Sequence, residues 1–343
     1  MISRAIAIWD SVRGPESMHA ALARLDLAEV DMQRGNFAEV ELYLRPALAV
    51  SEKILGPSHP QAAVFRKSLG ALLVYRGRHD EAEPLLASAA GILRNADPRM
   101  PRELATLNVI GQLHISRGEF ESAEPILQEA LAVNEALGLD HPSTLISLGN
   151  LASLLVQLKK FNRAEPLLRR AVQIGEQKLG ANHPMVARAL GDLGAVYGDT
   201  GKVTLAESVL KRALNIAEDA LPQVEQILLN QLARVYFQQR RFDEAIPMLH
   251  RMARIALHTP GAGLERATGS YYLARIHAAQ GRIAQAELSF LEAIALLEKH
   301  SGPNNPQLLD VLREYAALIR RDRKAEVRVI ENRIKSFSAA PVR

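Results

Sequence analysis

The sequence contains no cysteine among its 343 residues, and only one tryptophan. The lack of cysteine excludes disulfides, thiol catalysis and cysteine-ligated zinc, but it does not decide the compartment. No apolar stretch approaches the roughly 18 residues that a membrane-spanning helix needs. The apolar segment at the start is too short for a secretory signal peptide. We therefore expect no membrane span and a cytoplasmic protein.

The sequence also lacks a strong excess of charge of either sign. It has 42 lysines and arginines against 38 aspartates and glutamates, a formal net charge of +4. So small an excess does not indicate nucleic-acid binding. Hydrophobic residues make up 48% of the chain, which excludes a disordered class of protein.

One short phrase recurs along the chain with a period of about 41 residues. In most copies the phrase centres on an alanine, and copies follow one another at spacings of 42, 41, 41, 42, 39 and 41 residues. A period of this length is typical of stacked repeats, each of which buries its apolar face against its neighbours. The aligned positions are Val40, Ala82, Ala123, Ala164, Ala206, Ala245 and Ala286.

Each repeat contains the pattern of two amphipathic helices. A small residue lies 12 positions before the central alanine: Ala28, Gly70, Gly111, Ala152, Gly194, Ala233 and Ala274. Small side chains at fixed places predict a close approach between helices. A glycine marks the break between the two helices in five repeats, as a left-handed turn favours, and Lys159 and Arg240 replace it in two others. No alternating pattern predicts a β-strand, so the predicted fold class is all-α.

The connections between repeats end in His-Pro at His59, His141 and His183. Proline is favoured in the first turn of a helix, so each proline predicts a helix start. These histidines lie in equivalent turns of different repeats, too far apart to share a zinc ion. No phosphate-binding loop, HExxH motif or paired acidic motif is present either. The sequence therefore predicts neither an enzyme nor a metal, a cofactor or a small-molecule substrate.

These residues resemble tetratricopeptide repeats (TPRs), in the 42-residue form typified by kinesin light chains. The resemblance covers residues 1 to about 335. It implies a right-handed superhelix of antiparallel helix pairs, in which the first helix of each repeat lines a concave groove that holds a peptide segment of a partner protein. The asparagine doublets of kinesin light chains are missing here, so a role in motor transport is not implied.

The resemblance also implies which residues face the groove, namely those two and three positions before the small residue and one position after it. The candidate peptide-binding residues are Asn108, Gln112, Asn150, Asp192, Asn230, Arg234, Tyr271, Tyr272 and Arg275. Amides bond to extended peptide backbone because they carry both a donor and an acceptor. Arginine pairs with carboxylates, and tyrosine supplies rigid contact area. We expect the groove between Asn108 and Arg275 to bind an extended, acidic partner segment. The alternative is that these residues are only the solvated faces of the first helices.

We expect a single solenoid over residues 1–335, with about seven full repeats, a partial repeat at 1–14 and short capping helices at 305–335. Residues 336–343 are expected to form a flexible tail. Trp9 is expected to pack against the helix that contains Ala28. The open partial repeat is a candidate surface for self-association.

The leading functional hypothesis is a non-catalytic scaffold or adaptor that binds a partner protein in its groove. The alternative is the sensor or regulatory module of a signalling or transcription regulator whose effector lies on a separate chain. The sequence offers no effector segment outside the repeats.

Overall fold

The structure is a computed structural model that describes residues 2–33, 37, 39–95, 102–136, 142–218, 222–259, 262–302, 305–321 and 323–339. Within these residues the regular structure is entirely helical, which confirms the predicted all-α repeat solenoid. The helices are α1 Ile2–Arg13, α2 Met18–Gln33, α3 Val40–Leu55, α4 Pro60–Tyr75, α5 His79–Asn95, α6 Arg102–Ser116, α7 Phe120–Ala136, α8 Pro142–Gln157, α9 Phe161–Leu179, α10 Pro184–Asp199, α11 Val203–Ala217, α12 Pro222–Gln238, α13 Phe242–His258, α14 Gly263–Ala279, α15 Ile283–Ser301, α16 Pro306–Ile319 and α17 Lys324–Ala339.

From α2 onward, even-numbered helices are the first helices of the repeats and odd-numbered helices are the second. A first helix packs on the second helix of its own repeat, as α4 does on α5. It also packs on the first helix of the next repeat, as α4 does on α6 and α6 does on α8. These contacts place one face of α2, α4, α6 and α8 in a common surface of the first unit, and a contact between α12 and α14 does the same in the second unit.

The chain divides into two compact units, Met1–Asp192 and Leu193–Arg343. A cluster of buried side chains that includes Leu44, Leu72 and Leu86 forms a core in the first unit. A second cluster, which includes Phe290 and Leu312, forms a core in the second unit.

The small residue of the first helix fits against a leucine of the second helix. A Cβ atom added to Gly111 would lie 2.4 Å from Leu127 Cδ2, and one added to Gly194 would lie 2.5 Å from Leu210 Cγ. Both leucines are fully buried. The predicted close approach between helices is therefore confirmed in both units, and it explains why these positions hold only glycine or alanine.

The turn between the two helices of a repeat is left-handed at the residue predicted from the sequence. Gly77 has a φ of 71° and Gly118 a φ of 77°. Lys159 and Arg240 adopt φ angles of 55° and 60° at the equivalent positions, although neither is a glycine. The surrounding helix pair therefore imposes this conformation on side chains that disfavour it.

The connections between repeats also follow the prediction, since α4, α10 and α16 begin at a proline. The structure adds a role for the residue before that proline. His59 Nδ1 accepts a hydrogen bond from the amide of Gln61, and His183 Nδ1 accepts one from the amide of Met185. These histidines therefore cap helices. His141 lies outside the described residues.

Prolines also occur inside several second helices, including Pro84 and Pro125. The loss of a hydrogen-bond donor there predicts either a bend or a helix that starts only at the proline. The prediction that the helix starts only at the proline is wrong, because α5 begins at His79 and α7 at Phe120. The first turn of each helix is already in place before the proline.

At the N-terminal end, α1 packs on α2, and Trp9 stacks on His19 of α2 with ring centroids 4.7 Å apart. The expected packing of Trp9 is therefore confirmed. Ile8 and Val12 of α1 are exposed, and self-association through this helix remains a prediction. The single array over 1–335 and its repeat count also remain predictions. Helix α17 runs to Ala339, into the predicted tail, because Phe337 packs against the core of the second unit.

Candidate peptide-binding site

An open cavity of about 550 Å³ lies on the first-helix surface of the first unit. It is lined by residues of α4, α6, α8 and α10: Ala71, Val74, Tyr75, Asn108, Val109, Gln112, Ser116, Ser143, Ile146, Asn150 and Arg188. Three of the predicted site residues, Asn108, Gln112 and Asn150, are therefore brought together. Repeats of the same pattern place them on the same face of successive helices.

Three polar side chains are available at this cavity. Gln112 is exposed and makes no hydrogen bond to another described residue. Asn150 donates one hydrogen bond, to Asn108, and its Oδ1 has no partner among the described residues. Arg188 is exposed, and no carboxylate pairs with it in the part of the chain that the structure describes. The cavity therefore offers amide groups that match peptide backbone and one guanidinium that matches a carboxylate.

Asn108 has a different role from the one predicted. It is only 7% exposed, and its Nδ2 donates to Ser147 Oγ at 3.0 Å. Its Oδ1 accepts from Asn150 Nδ2 at 3.1 Å. Asn134 Nδ2 donates to the same serine at 2.6 Å. Asn108 thus belongs to a buried polar network that fixes the orientation of Asn150, and it is a positioning residue for the cavity.

Asp192 lies on α10, one helical turn after Arg188. Burial raises the pKa of its carboxyl from 3.8 to about 6, and the nearby charge of Arg188 opposes that rise. No hydrogen bond or ion pair to the carboxyl is present among the described residues. Asp192 is thus a half-buried acid that forms no hydrogen bond or ion pair among the described residues, and its charge is unfavourable in the folded chain.

The lining residues that the sequence prediction missed include Tyr75, Ile146 and Arg188. The tyrosine is 66% exposed and the isoleucine 49% exposed. Tyr75 lies five residues after the small residue of its helix, and Ile146 and Arg188 lie six before theirs. Extending the predicted face by one helical turn in each direction would have found all three.

In the second unit, Tyr271, Tyr272 and Arg275 form one cluster. The Arg275 guanidinium lies 4.7 Å from the ring centroid of Phe237, and its Nε lies 3.3 Å from Glu314 Oε2. The Tyr271 hydroxyl donates to the same carboxylate at 2.8 Å. Burial and the neighbouring Glu314 raise the pKa of Tyr271 above its ordinary value. Glu314 therefore already neutralises the charge of Arg275, and a role of Arg275 in peptide binding remains a prediction.

The remaining predicted residues of the second unit are also engaged or enclosed. Arg234 pairs with Asp199, with 3.0 Å between Nη2 and Oδ1. The side-chain oxygens of Asn230 and Gln231 are buried, and no described residue donates a hydrogen bond to them. A buried oxygen cannot accept a hydrogen bond from a bound peptide unless the surrounding side chains move. The free, open part of the predicted site therefore lies in the first unit.

Two features are absent from the described residues, a cluster of metal ligands and a membrane-spanning helix. These residues contain no group of three or more histidine, aspartate or glutamate residues placed to hold a metal ion. None of their helices is long and apolar enough to cross a membrane.

Comparison with known protein families decides the identity of the repeats. A tetratricopeptide repeat model matches residues 19–95, 102–177, 150–219 and 224–299, which is most of the chain. The chain belongs to the tetratricopeptide repeat family. The predicted family is thus confirmed, and the TPR fold is a non-catalytic fold that forms protein-interaction scaffolds. No curated protein matches the sequence.

Two solved structures with TM-scores above 0.5 show the same fold, and a third protein is similar over part of the chain. A chain of the APC/C hetero-tetramer Cut9–Hcn1 is 14% identical, with a TM-score of 0.65 over 99% of this chain and 57% of that one. NprR in complex with its cognate peptide NprX is 14% identical, with a TM-score of 0.54 over 82% of this chain and 80% of that one. A putative kinesin light chain of Podosopora anserina is 24% identical, with a TM-score of 0.49 over 59% of this chain and 98% of that one.

Proposed function

We propose that this TPR protein is a scaffold or adaptor that holds an extended segment of a partner protein in the cavity of its first unit. The observation that carries the proposal is the combination found there: the amide of Gln112 and the Oδ1 of Asn150, neither with a partner among the described residues, exposed apolar surface on Tyr75 and Ile146, and the exposed charge of Arg188, which forms no ion pair there. Polar groups without internal partners, set around exposed apolar surface, are typical of a recognition site.

The chemistry of the cavity suggests how the segment binds. The amides of Gln112 and Asn150 bond to its backbone, and one of its apolar side chains contacts Ile146 and Val109. An acidic residue of the segment pairs with Arg188. In the first unit, the predicted acidic character of the partner depends on this arginine alone. Because Asn108 already bonds to Ser147 and Asn150, it orients the site without contacting the partner.

The test is affinity capture from the source cells with quantitative mass spectrometry. We expect the triple variant Gln112→Ala, Asn150→Ala, Arg188→Ala to bind the partner about a hundredfold less tightly than the unchanged chain, since each of the three lost polar contacts costs about 1 kcal/mol. The matched control is Gln157→Ala, Asn162→Ala, Arg169→Ala, which removes the same residue types from exposed positions outside the cavity. Equal capture by the two triple variants would refute the assignment of the site.

A regulatory module is the second candidate, and it shares the same binding event. NprR, which has the same fold, is seen in complex with a peptide. The two functions differ in what binding does: a scaffold keeps its partner, whereas a sensor changes its affinity for a separate effector. If a regulator is captured only when a peptide is added, the sensor is favoured. Stable capture of one partner without peptide favours the scaffold.

A further inference from the structure

Ion pairs link successive repeats at one recurring position, the residue directly after the central alanine. In six of the seven repeats this residue is a glutamate: Glu41, Glu83, Glu124, Glu165, Glu207 and Glu287. In four of these repeats the glutamate pairs with a basic residue just before the second helix of the next repeat. The four basic residues are Arg78, Lys160, Arg241 and Arg323.

Two further contacts to the glutamate recur. The side chain one helical turn later contacts it: Arg45 Nε lies 2.7 Å from Glu41, and Lys211 Nζ lies 2.7 Å from Glu207. An aromatic side chain of the next first helix also contacts it, since the Tyr236 hydroxyl donates to Glu207 at 3.3 Å. The carboxylate is thus surrounded by a cation of the next repeat, a side chain one turn later and a ring.

The sixth repeat keeps this arrangement but lacks the carboxylate. Ile246 occupies the glutamate position. Arg282 occupies the position of the basic residue that pairs with the glutamate in other repeats. It lies 36 residues after Ile246, which is also the spacing from Glu124 to Lys160 and from Glu287 to Arg323. His250 lies one turn after Ile246, and His277 takes the place of Tyr236, five residues before the cation.

Among the described residues, no aspartate or glutamate pairs with Arg282 or His250. The exposed side chain of Arg282 has no hydrogen bond or ion pair there, and neither has the side chain of His250. His277 Nδ1 lies 3.5 Å from the Ser289 hydroxyl. Burial lowers the pKa of His277, and the charges of Arg282 and His250 lower it further. All three groups are therefore close enough to interact, and the excess charge among them is positive.

The surface beside Ile246 is open. A hollow of about 580 Å³ is lined by Ile246, Pro247, His250, Ala253 and Arg254. Arg254 is exposed and also lacks a paired carboxylate among the described residues. An incoming side chain therefore meets an apolar floor with positive charge at its edge, which is the complement of a glutamate or aspartate.

We propose that a partner protein supplies the missing carboxylate: an acidic side chain of the partner enters the hollow beside Ile246 and pairs with Arg282 and His250. This surface is separate from the cavity of the first unit, so the proposal does not depend on the peptide-binding function. It makes the second unit a contact surface for an acidic segment.

The test is fluorescence anisotropy of a labelled peptide of alternating glutamate and alanine, compared with the matched glutamine–alanine peptide. The full chain carries Arg188→Ala, so that the cavity of the first unit cannot contribute. We expect the glutamate peptide to bind more tightly than the glutamine peptide. Arg282→Ala should weaken its binding about tenfold, as the loss of a charge-assisted hydrogen bond predicts. Arg328→Ala, which removes an exposed arginine of α17, is the control and should leave binding unchanged.

A second pair of variants tests the geometry directly. Ile246→Glu restores the carboxylate within the chain, so it should weaken peptide binding about tenfold and raise the Tm relative to Ile246→Gln. The proposal is overturned if the two peptides bind equally well, or if Arg282→Ala has no more effect than Arg328→Ala. It is also overturned if Ile246→Glu binds the peptide as well as Ile246→Gln does, or melts at a lower temperature.

Discussion

The first-helix surfaces of the two units carry polar residues at equivalent positions. These residues differ in whether another side chain of the protein pairs with them. Gln112 in the first unit and Arg275 in the second each follow the small residue of their helix directly. Gln112 has no partner among the described residues, whereas Arg275 is paired with Glu314 and stacked on Phe237. The same position is thus available for binding in one unit and used for stability in the other.

The difference teaches that a position on the right helix face does not make a residue a binding residue. What decides is the side chain that the neighbouring first helix places beside it. Glu314 is supplied by α16 and Asp199 by α10, and each neutralises an arginine of the adjacent first helix. Arg188 interacts electrostatically with Asp192 of its own helix, but no acid of a neighbouring first helix forms an ion pair with it in the described part of the chain. Four predictions test this contrast, starting with the contact between helices that both units share.

The largest effect is expected at the contact common to both units. Gly111→Leu should lower the free energy of unfolding by about 3 kcal/mol, because the added side chain overlaps the buried Leu127. Gly149→Ala is the matched control: nothing lies within 4 Å of its added Cβ, and alanine favours a helix by about 0.5–1 kcal/mol. Urea denaturation measures both variants. If Gly111→Leu is as stable as the unchanged chain, the close approach between the two helices of a repeat does not contribute to stability.

The next effect separates a positioning residue from a binding residue within the first unit. Asn108→Ala should cost about 2 kcal/mol of stability, because it removes the hydrogen bonds of Asn108 to Ser147 and Asn150 from a buried polar network. Gln112→Ala should change stability by less than about 0.5 kcal/mol, since the side chain is exposed. Thermal melts of the two variants provide the measurement. Equal losses would show that Gln112 is structural too.

The contrast between the two arginines should be visible in stability alone. Arg275→Ala removes a stacked cation and leaves Glu314 unpaired, so we expect a loss of about 1–1.5 kcal/mol. Arg188→Ala removes no paired charge and should be nearly neutral. Chemical denaturation at low and high salt checks both, and the Arg275 loss should shrink in high salt. A larger loss for Arg188→Ala would reverse the comparison.

The smallest effect is expected at Asp192 and depends on pH. Burial raises the pKa of its carboxyl from 3.8 to about 6, so the folded chain holds the proton more tightly than the unfolded chain does. Stability from this group is complete below about pH 4 and is lost as the pH rises through 6. Asp192→Asn should therefore stabilise the chain at neutral pH, and the gain should be much smaller at pH 4. Asp199→Asn, which breaks the pair with Arg234, is the control and should not stabilise.

Most of the fold could be predicted from the sequence because it depends on local signals. The spacing of small residues located the helix pairs, and the turn glycines located the breaks between helices. The conformation of Lys159 and Arg240 follows from repeat alignment alone, since neither residue favours a left-handed turn by itself. The capping role of His59 and His183 was missed, although the N-cap position of their His-Pro motifs contained the signal.

The site could be predicted only in part, because availability depends on pairs that are distant in sequence. The face of each helix followed from helical periodicity, and one more turn would have added Ile146 and Arg188. Arg234 pairs with Asp199, which lies 35 positions away on a different helix. Over such a separation the sequence does not indicate which acidic residue an arginine contacts. The burial of Asn108 likewise depends on Ser147 of the next repeat.

The central claim is that the cavity of the first unit, and not merely an exposed surface of the chain, holds a partner segment. A photo-crosslinking amino acid at Ile146, which lines the cavity and is 49% exposed, tests it most directly. The comparison position is Leu205 of α11, which is 50% exposed and does not line the cavity. We predict a specific crosslink from position 146, lost in the Gln112, Asn150, Arg188 triple variant and absent from position 205. Crosslinks to the same proteins from both positions, or a crosslink at 146 that survives the triple variant, would contradict the account.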